Sequence, residues 1–342
     1  MRHSIISWDC CYRNFFHTAL ALAEQDFDID SFEVLYVEQR TKSASDRFNR
    51  QAGLASLGDV VTALQDRMNI RALYLGDGPE RPLHWGRAVN LGIRKSRGDV
   101  ISVMDGDLLV GRDFLAKLDD EHHRSPTAVI NLHRRMVPGP IGVTRDRWTD
   151  QSASFDACLD ACPDRDQPLP AEVQNYGPMI SARREHWRAI AGYDEHRIWS
   201  TGLSRIGEDV TARLGIHLAV RERLLPGTVC VHPWHPVGFR RDTLAARRML
   251  SLQGALIDWA RTNQASGWTD RRATADALYC QNRRFIDRVL KSDVAEPSST
   301  PTRLKRMNAR FSGVAAKLLN REFHEIRGEL GTAVRNMLSG SH

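Results

Sequence analysis

No stretch of this chain is apolar for long enough to cross a membrane, and none has the form of a secretory signal. The first apolar run is only Ile5–Trp8, against roughly 20 residues for a spanning helix. Cysteine is sparse as well. Cys10, Cys11, Cys158, Cys162, Cys230 and Cys280 lack the paired two-residue spacing of a zinc knuckle. Without a secretory signal they are expected to be reduced thiols of a cytoplasmic protein. Glycine is missing where two nucleotide-binding classes need it. No Gly-x-Gly-x-x-Gly follows the first β-rich run, which speaks against a dinucleotide-binding dehydrogenase. Trp8–Asn14 contains no glycine, whereas a nucleotidyltransferase needs a glycine-rich basic loop at that point. Aromatic residues make up 7% of the chain and are not interleaved with basic ones, so nothing marks a nucleic-acid surface.

What is present is a composition able to bury one large core, or a core with a smaller annex: 342 residues, 42% apolar and 26% charged. The formal charge of +6 is unevenly placed. Residues 240–342 hold 19 Lys and Arg against 10 Asp and Glu, and residues 1–239 hold 29 against 32. A basic tail suits an anionic neighbour or a solvated helical face, and both readings stay open.

Short β-rich runs alternate with helical stretches, the sign of an α/β fold with helices on both faces of a sheet. Strands are expected at Ser4–Trp8, Phe32–Val37, Ala72–Leu75, Val100–Met104 and Ala128–Leu132, then at Met179–Ala182 and Val229–Val231. Helices are expected at Phe15–Gln25, Val60–Met68, Trp85–Ser96 and Arg184–Ala191, with another opening near Glu208. Between Pro138 and Pro170 five prolines and scattered aspartates predict a long surface excursion. A Pro/Ser/Thr-rich joint, Glu296–Thr302, then separates two mainly helical blocks.

The fourth strand ends in Met104-Asp105-Gly106-Asp107, which delivers two carboxylates to the C-terminal edge of a sheet, where open α/β folds bind ligands. Such oxygens suit Mg²⁺ or Mn²⁺, and diphosphate oxygens can complete the shell.

Asn90-Leu91-Gly92-Ile93, Arg97-Gly98-Asp99 and Asp105-Gly106-Asp107 together resemble the core of inverting family 2 glycosyltransferases with the GT-A fold. Gly192-Tyr193-Asp194-Glu195 and Gly207-Glu208-Asp209-Val210, followed by Arg213-Leu214, are similar to that family's later landmarks. The resemblance spans roughly residues 3–236. It implies a GT-A domain over 1–239, with a nucleotide-binding half (1–110) and an acceptor-binding half (111–239), followed by a basic helical extension (240–342). It also implies transfer of a sugar from a nucleoside-diphosphate donor, expected to be UDP-linked, to a saccharide or lipid-linked hydroxyl. Asp209 is then the expected general base and Glu208 the residue that holds the acceptor, although two acidic residues in a helix's first turn also suit the helix dipole. Asp105 and Asp107 are expected to bind metal with His232, and His235 joins them or covers the diphosphate. Imidazole favours Mn²⁺ over Mg²⁺.

For the nucleotide the resemblance implies Ser7, Trp8, Asp9, Glu38, Arg87 and Asn90, along with Asp105 and Gly106. Two departures stand out: Ser7-Trp8-Asp9-Cys10 replaces a Pro-Thr-Tyr-Asn-like turn, and Val37-Glu38-Gln39 replaces an Asp-Asp pair. The tail carries apolar residues at Phe311, Val314, Leu318, Ile326, Leu330, Val334 and Met337, with Arg310, Lys317, Arg321, Arg327 and Arg335 between them. That is an amphipathic basic helix, suited to peripheral membrane contact, to its own domain or to a second copy. A nucleotidyltransferase using the same strand-end carboxylates, or a binding module with a basic tail, are the competing readings.

Overall fold

The computed structural model describes residues 1–9, 15–51, 56–78, 81–139, 141, 154–200, 205–234, 244–263 and 267–293. Its elements run β1 (His3–Asp9), α1 (Phe15–Ala23), β2 (Phe32–Arg40), α2 (Lys42–Gln51), α3 (Leu57–Leu64), β3 (Asn69–Asp77), α4 (Trp85–Lys95) and β4 (Val100–Asp105). Then come β5 (Leu109–Val110), α5 (Phe114–Arg124), β6 (Ile130–Met136), α6 (Phe155–Asp160), β7 (Met179–Arg183), α7 (Arg184–Ala189), α8 (Ile206–Leu218), β8 (Arg223–His232), α9 (Leu244–Thr262) and α10 (Gly267–Asp293).

β1, β2 and β4 are almost continuously buried, as expected of parallel strands covered on both faces. β1 pairs in parallel with β2 and β4, and β2 with β3, giving β3-β2-β1-β4 as one half of an eight-stranded sheet whose full order is β3-β2-β1-β4-β7-β6-β8-β5. Because these strands run the same way, Asp9, Glu38, Asp77 and Asp105 all reach one edge. β7 reverses direction against β4 and β6, and β8 pairs in parallel with β6. The chain is thus a mixed α/β sheet flanked by helices.

Local chemistry fixes several boundaries. Ser56 and Asp59 form a reciprocal capping box that starts α3. In α4, Ala88 and Val89 face the core, and Arg94 and Lys95 fall in the last turn, where positive charge suits the helix dipole. The landmark Arg97-Gly98 lies at the opposite end of β4 from the acidic edge, its amides bonded to Ser4 Oγ and Glu33.

Within the proline-rich excursion the described residues include a helix, α6, capped by Ser154 and anchored by buried Cys158 and Cys162. Its aspartates and flanking prolines concealed it, because only two buried positions hold it to the sheet. Four cysteines, Cys158, Cys162, Cys230 and Cys280, are free thiols among the described residues.

The chain divides into two compact units, Met1–Ala295 and Glu296–His342. The second, with the expected amphipathic tail helix, lies outside the described residues. In the first, Met249, Leu256, Ile257, Ala275, Ile286 and Leu290 of α9 and α10 join the same apolar cluster as Trp199, Ile206 and Val210. Among the described residues no helix is long and apolar enough to cross a membrane.

A buried polar group sits where α5 meets the sheet. His122 Nε2 lies 2.9 Å from Ser181 Oγ, and His3 Nε2 lies 2.8 Å from Asp119. Burial, reinforced by the charges of His3, Arg183 and Arg223, pushes His122 down from 6.5 to about 3. Below pH 6.5 the unfolded chain takes up a proton at this residue that the folded chain refuses until about pH 3. Stability is therefore lost as pH falls through that window, by about 1.4 kcal/mol per unit for one such group. Urea unfolding at pH 7 and pH 5 should show this decline, and His122→Asn should make it shallower. An unchanged slope in the variant would remove His122 as its source.

Candidate active site

β4 stays buried through Asp105, and the turn that follows presses back on β1. A Cβ at Gly106 would lie 2.7 Å from the Trp8 carbonyl oxygen and 3.5 Å from Ser7 Oγ, so only glycine fits between the two aspartates. Thr18 Oγ1 donates to the Gly106 carbonyl at 3.1 Å. Asp105 and Asp107 are thereby held on a rigid turn, both buried.

β8 brings His232 to this edge, with Nε2 2.9 Å from Asp107 Oδ2. From β6, Arg134 Nη1 comes within 3.9 Å of Asp105 Oδ2. Among the described residues no group of three or more His, Cys, Asp or Glu gathers around one point. A carboxylate and an imidazole in contact nonetheless fit two positions of a divalent cation whose remaining ligands are phosphate oxygens and water. His235 lies outside the described residues.

The residues expected at the nucleotide divide into two groups. Ser7 is buried beneath the Asp105–Asp107 turn, and its Oγ has no hydrogen-bond partner among the described residues. Trp8 packs on Trp85 with ring centroids 4.4 Å apart and the rings tilted by 35°. Asp9 ends β1, and its side chain is outside the described residues. Glu38 is buried and accepts from the Arg40 amide at 2.9 Å and from Ser45 Oγ at 3.4 Å.

Two others have other partners here. Arg87 donates to Asp77 at 2.7 Å, and Arg81 donates to the same carboxylate. Asn90 clamps the Gly192–Tyr193 turn: its Oδ1 accepts the Tyr193 amide at 2.8 Å, and its Nδ2 donates to the Tyr193 carbonyl at 2.8 Å and to Glu195 at 2.9 Å. Gly192 has φ +68, and a Cβ there would fall 2.4 Å from Asn90 Oδ1. Positive φ and close approach together demand glycine.

The second acidic cluster opens α8. Glu208 is held by Arg205 at 2.6 Å and by Arg261 at 3.3 Å, and its side chain is 16% exposed. Asp209 is 1% exposed. Its Oδ2 accepts from Arg213 Nε at 3.1 Å, one turn along the same helix, and its Oδ1 accepts from Arg271 of α10. Arg271 also donates to Asp194 at 2.8 Å. Burial pushes the Asp194 carboxyl up, but the Arg271 charge, the His196 amide and the Trp199 indole together outweigh it and hold the group below its ordinary value.

The two clusters are neighbours. A Cβ at Gly207 in the first turn of α8 would touch the Tyr176 carbonyl at 2.7 Å, and one at Gly177 would lie 3.6 Å from Asp105 Oδ2. Tyr193, whose hydroxyl burial pushes up, feels the charges of both Asp105 and Asp209. Sequence reasoning missed Arg134 and Arg271. Nothing local separates either from neighbouring arginines such as Arg135 or Arg272.

Residues 79–173 match the family described as Glycosyl transferase family 2. A search of curated proteins finds no match. Among solved structures, S. aureus TarS residues 1–349 in complex with UDP-GlcNAc is 15% identical with a TM-score of 0.51, covering 83% of this chain and 73% of that one. The mannosyltransferase PcManGT from Pyrobaculum calidifontis, in complex with GDP-Man and Mn2+, is 14% identical with a TM-score of 0.49, covering 99% and 88%. Against the longer S. aureus TarS structure this chain, 15% identical with a TM-score of 0.49, is covered over 82% of its length and spans 43% of that protein.

Proposed function

From a chain whose residues 79–173 match glycosyl transferase family 2 and that has the GT-A fold, we propose a metal-dependent, inverting transfer of sugar from a nucleoside-diphosphate donor to an acceptor hydroxyl. The observation that carries this reading is the buried contact between Asp107 and His232 beside Asp105 at the edge of the sheet. Mn²⁺ fits this mixed oxygen and nitrogen donor pair better than Mg²⁺. When bound, the cation would supply positive charge opposite the departing diphosphate. TarS was solved with UDP-GlcNAc and PcManGT with GDP-Man; for this chain we take a UDP-sugar as donor.

Each residue of the chain has its own part. Ser7 and Trp8 back the nucleotide side of the acidic turn, and the partly exposed Trp85, packed on Trp8, offers aromatic surface to a base. Asp209 is the general base, taking the acceptor proton as the hydroxyl oxygen attacks the anomeric carbon on the face opposite the leaving phosphate. In the resting arrangement both of its oxygens are on guanidinium groups, so Oδ1 must exchange Arg271 for the acceptor hydroxyl. Oδ2 can stay on Arg213, which keeps the carboxylate oriented. Glu208, beside it and partly open to solvent, holds the acceptor. A saccharide or lipid-linked acceptor suits the half that follows β4, and the basic extension after residue 240 suits peripheral contact with an anionic surface.

A thermal-shift screen tests the reading. With Mn²⁺ and a nucleotide sugar at 100 times its Kd, binding should stabilise the protein by about 2.7 kcal/mol. EDTA or Asp107→Ala should remove the metal-dependent part. Response to nucleoside triphosphates but to no nucleotide sugar would overturn the proposal in favour of nucleotidyl transfer.

A further inference from the structure

A diphosphate brings two phosphates to an edge already lined by Asp105 and Asp107, so one divalent cation leaves the site short of positive charge. The residue expected from sequence to meet a phosphate, Arg87, is engaged with Asp77. Arg134 is differently placed. In the parallel pairing of β6 and β8 it stands opposite Cys230, and Met136 stands opposite His232. Alternation along the strands therefore puts Arg134, Cys230 and His232 on one face of the sheet. Burial is what pushes the Cys230 thiol up most, but the charges of Arg134, Asp105 and Asp107 all reach it too.

The attachments of Arg134 are also unlike those of its neighbours. Its approach to Asp105, at 3.9 Å, is an ion pair beyond hydrogen-bond length. Among the described residues its guanidinium makes no hydrogen bond, although it carries five N–H donors. Its side chain is 18% exposed. Arg135, next along, is 4% exposed, donates to the Gln167 carbonyl at 2.6 Å and pairs with Asp164 at 3.2 Å. One arginine of the doublet is committed to the framework, and the other is a loosely held cation at the acidic edge.

We propose that Arg134 is a ligand of the donor's sugar-side phosphate: it rests beside Asp105 when no nucleotide is present and turns its guanidinium onto the second phosphate when a nucleoside diphosphate enters. This rests on the transferase reading of the same site. Planar, bidentate pairing of guanidinium with phosphate supplies both affinity and orientation. It also separates diphosphate from monophosphate, because the nucleoside monophosphate lacks the group that Arg134 meets.

Calorimetric titration of UDP and UMP, and of GDP and GMP, into wild type, Arg134→Gln and Arg134→Lys, each in EDTA and in Mn²⁺, tests this. Arg134→Gln should weaken the bound diphosphate about 10- to 30-fold in both conditions, since a charged hydrogen bond carries roughly that much. The monophosphate should change by less than about twofold, and Arg134→Lys should recover part of the loss as a point charge. Equal weakening of diphosphate and monophosphate, or no weakening of either, would overturn the assignment and leave the transferase standing. Should Arg134→Gln fail to fold, a Lys variant with undiminished diphosphate preference and affinity would overturn it equally. If wild type binds neither diphosphate, both the assignment and the transferase reading fall.

Discussion

Replacing Arg271 with alanine should cost about 3–5 kcal/mol of folding stability, the usual penalty for removing one partner of a buried ion pair. The side chain is 6% exposed, bridges Asp194 and Asp209, and lies with its guanidinium carbon 5.8 Å from the Trp199 ring centroid. Without it, Asp209 keeps Arg213, and among the described residues Asp194 keeps the Trp199 indole, the His196 amide and the charge of Arg213. Asp209 stays buried and Asp194 half-buried, so the desolvation cost is no longer offset. Arg271→Lys should lose less, because the charge remains and only the fork is gone. Arg272→Ala, one residue along on an exposed position, should change stability by no more than about 0.5 kcal/mol.

The acid dependence gives a second reading of the same pair. The Asp194 carboxyl is held below 3.8 in the folded state, so its contribution is present above that value and lost as pH falls through the folded one. The gap between wild type and Arg271→Ala should therefore narrow in strong acid. Denaturant unfolding at pH 7 measures the main effect, and a loss below about 1 kcal/mol would mean that α10 is not latched through Arg271.

Asp209→Asn carries the largest expected kinetic effect, a fall in transfer of roughly 10²- to 10⁴-fold, the range general-base catalysis supplies. The loss should fall on kcat, with donor affinity retained, because Asp107, in the turn after β4, and His232, at the end of β8, are separate from helix α8 that carries Asp209. Glu208→Gln should act mainly on the KM for acceptor, since its carboxylate is the more open of the two. A Glu208→Gln enzyme that loses transfer beside an Asp209→Asn enzyme that keeps it would exchange the two roles. Arg271→Lys belongs in the same series. If Oδ1 must leave a guanidinium to reach the acceptor, changing that guanidinium should change kcat while the KM for donor stays in place, and a role confined to packing would leave kcat unchanged.

Legibility differed sharply across the molecule. The parallel strands could be read from sequence because each is an apolar run bounded by polar residues. β8 reads poorly, since Pro226 and Gly227 interrupt it and its burial is uneven. β5 is two residues long and has no periodicity to find. At the site, Asp105-Gly106-Asp107 was legible through its strand, but the partners of the expected ligands were not. Asn90 lay in a family landmark and was expected at the nucleotide. Its amide instead clamps the Gly192–Tyr193 turn, which a helix-face pattern cannot reveal. Arg87 likewise has the composition of a phosphate donor and the geometry of an Asp77 partner.

Sequence alone determined what depends on neighbours along the chain: the alternation of strands and helices, the two aspartates at the end of an apolar strand, and the acidic first turn of α8. Periodicity and capping act over a few residues, so they are written locally. Only the tertiary structure decided which charges meet. Arg271 reaches Asp209 across 62 positions and Asp194 across 77, and Asn90 reaches Tyr193 across 103. Such pairs form because burial leaves a charged or polar group no water to turn to. The partner it finds is set by how the helices pack, and no local pattern carries that information.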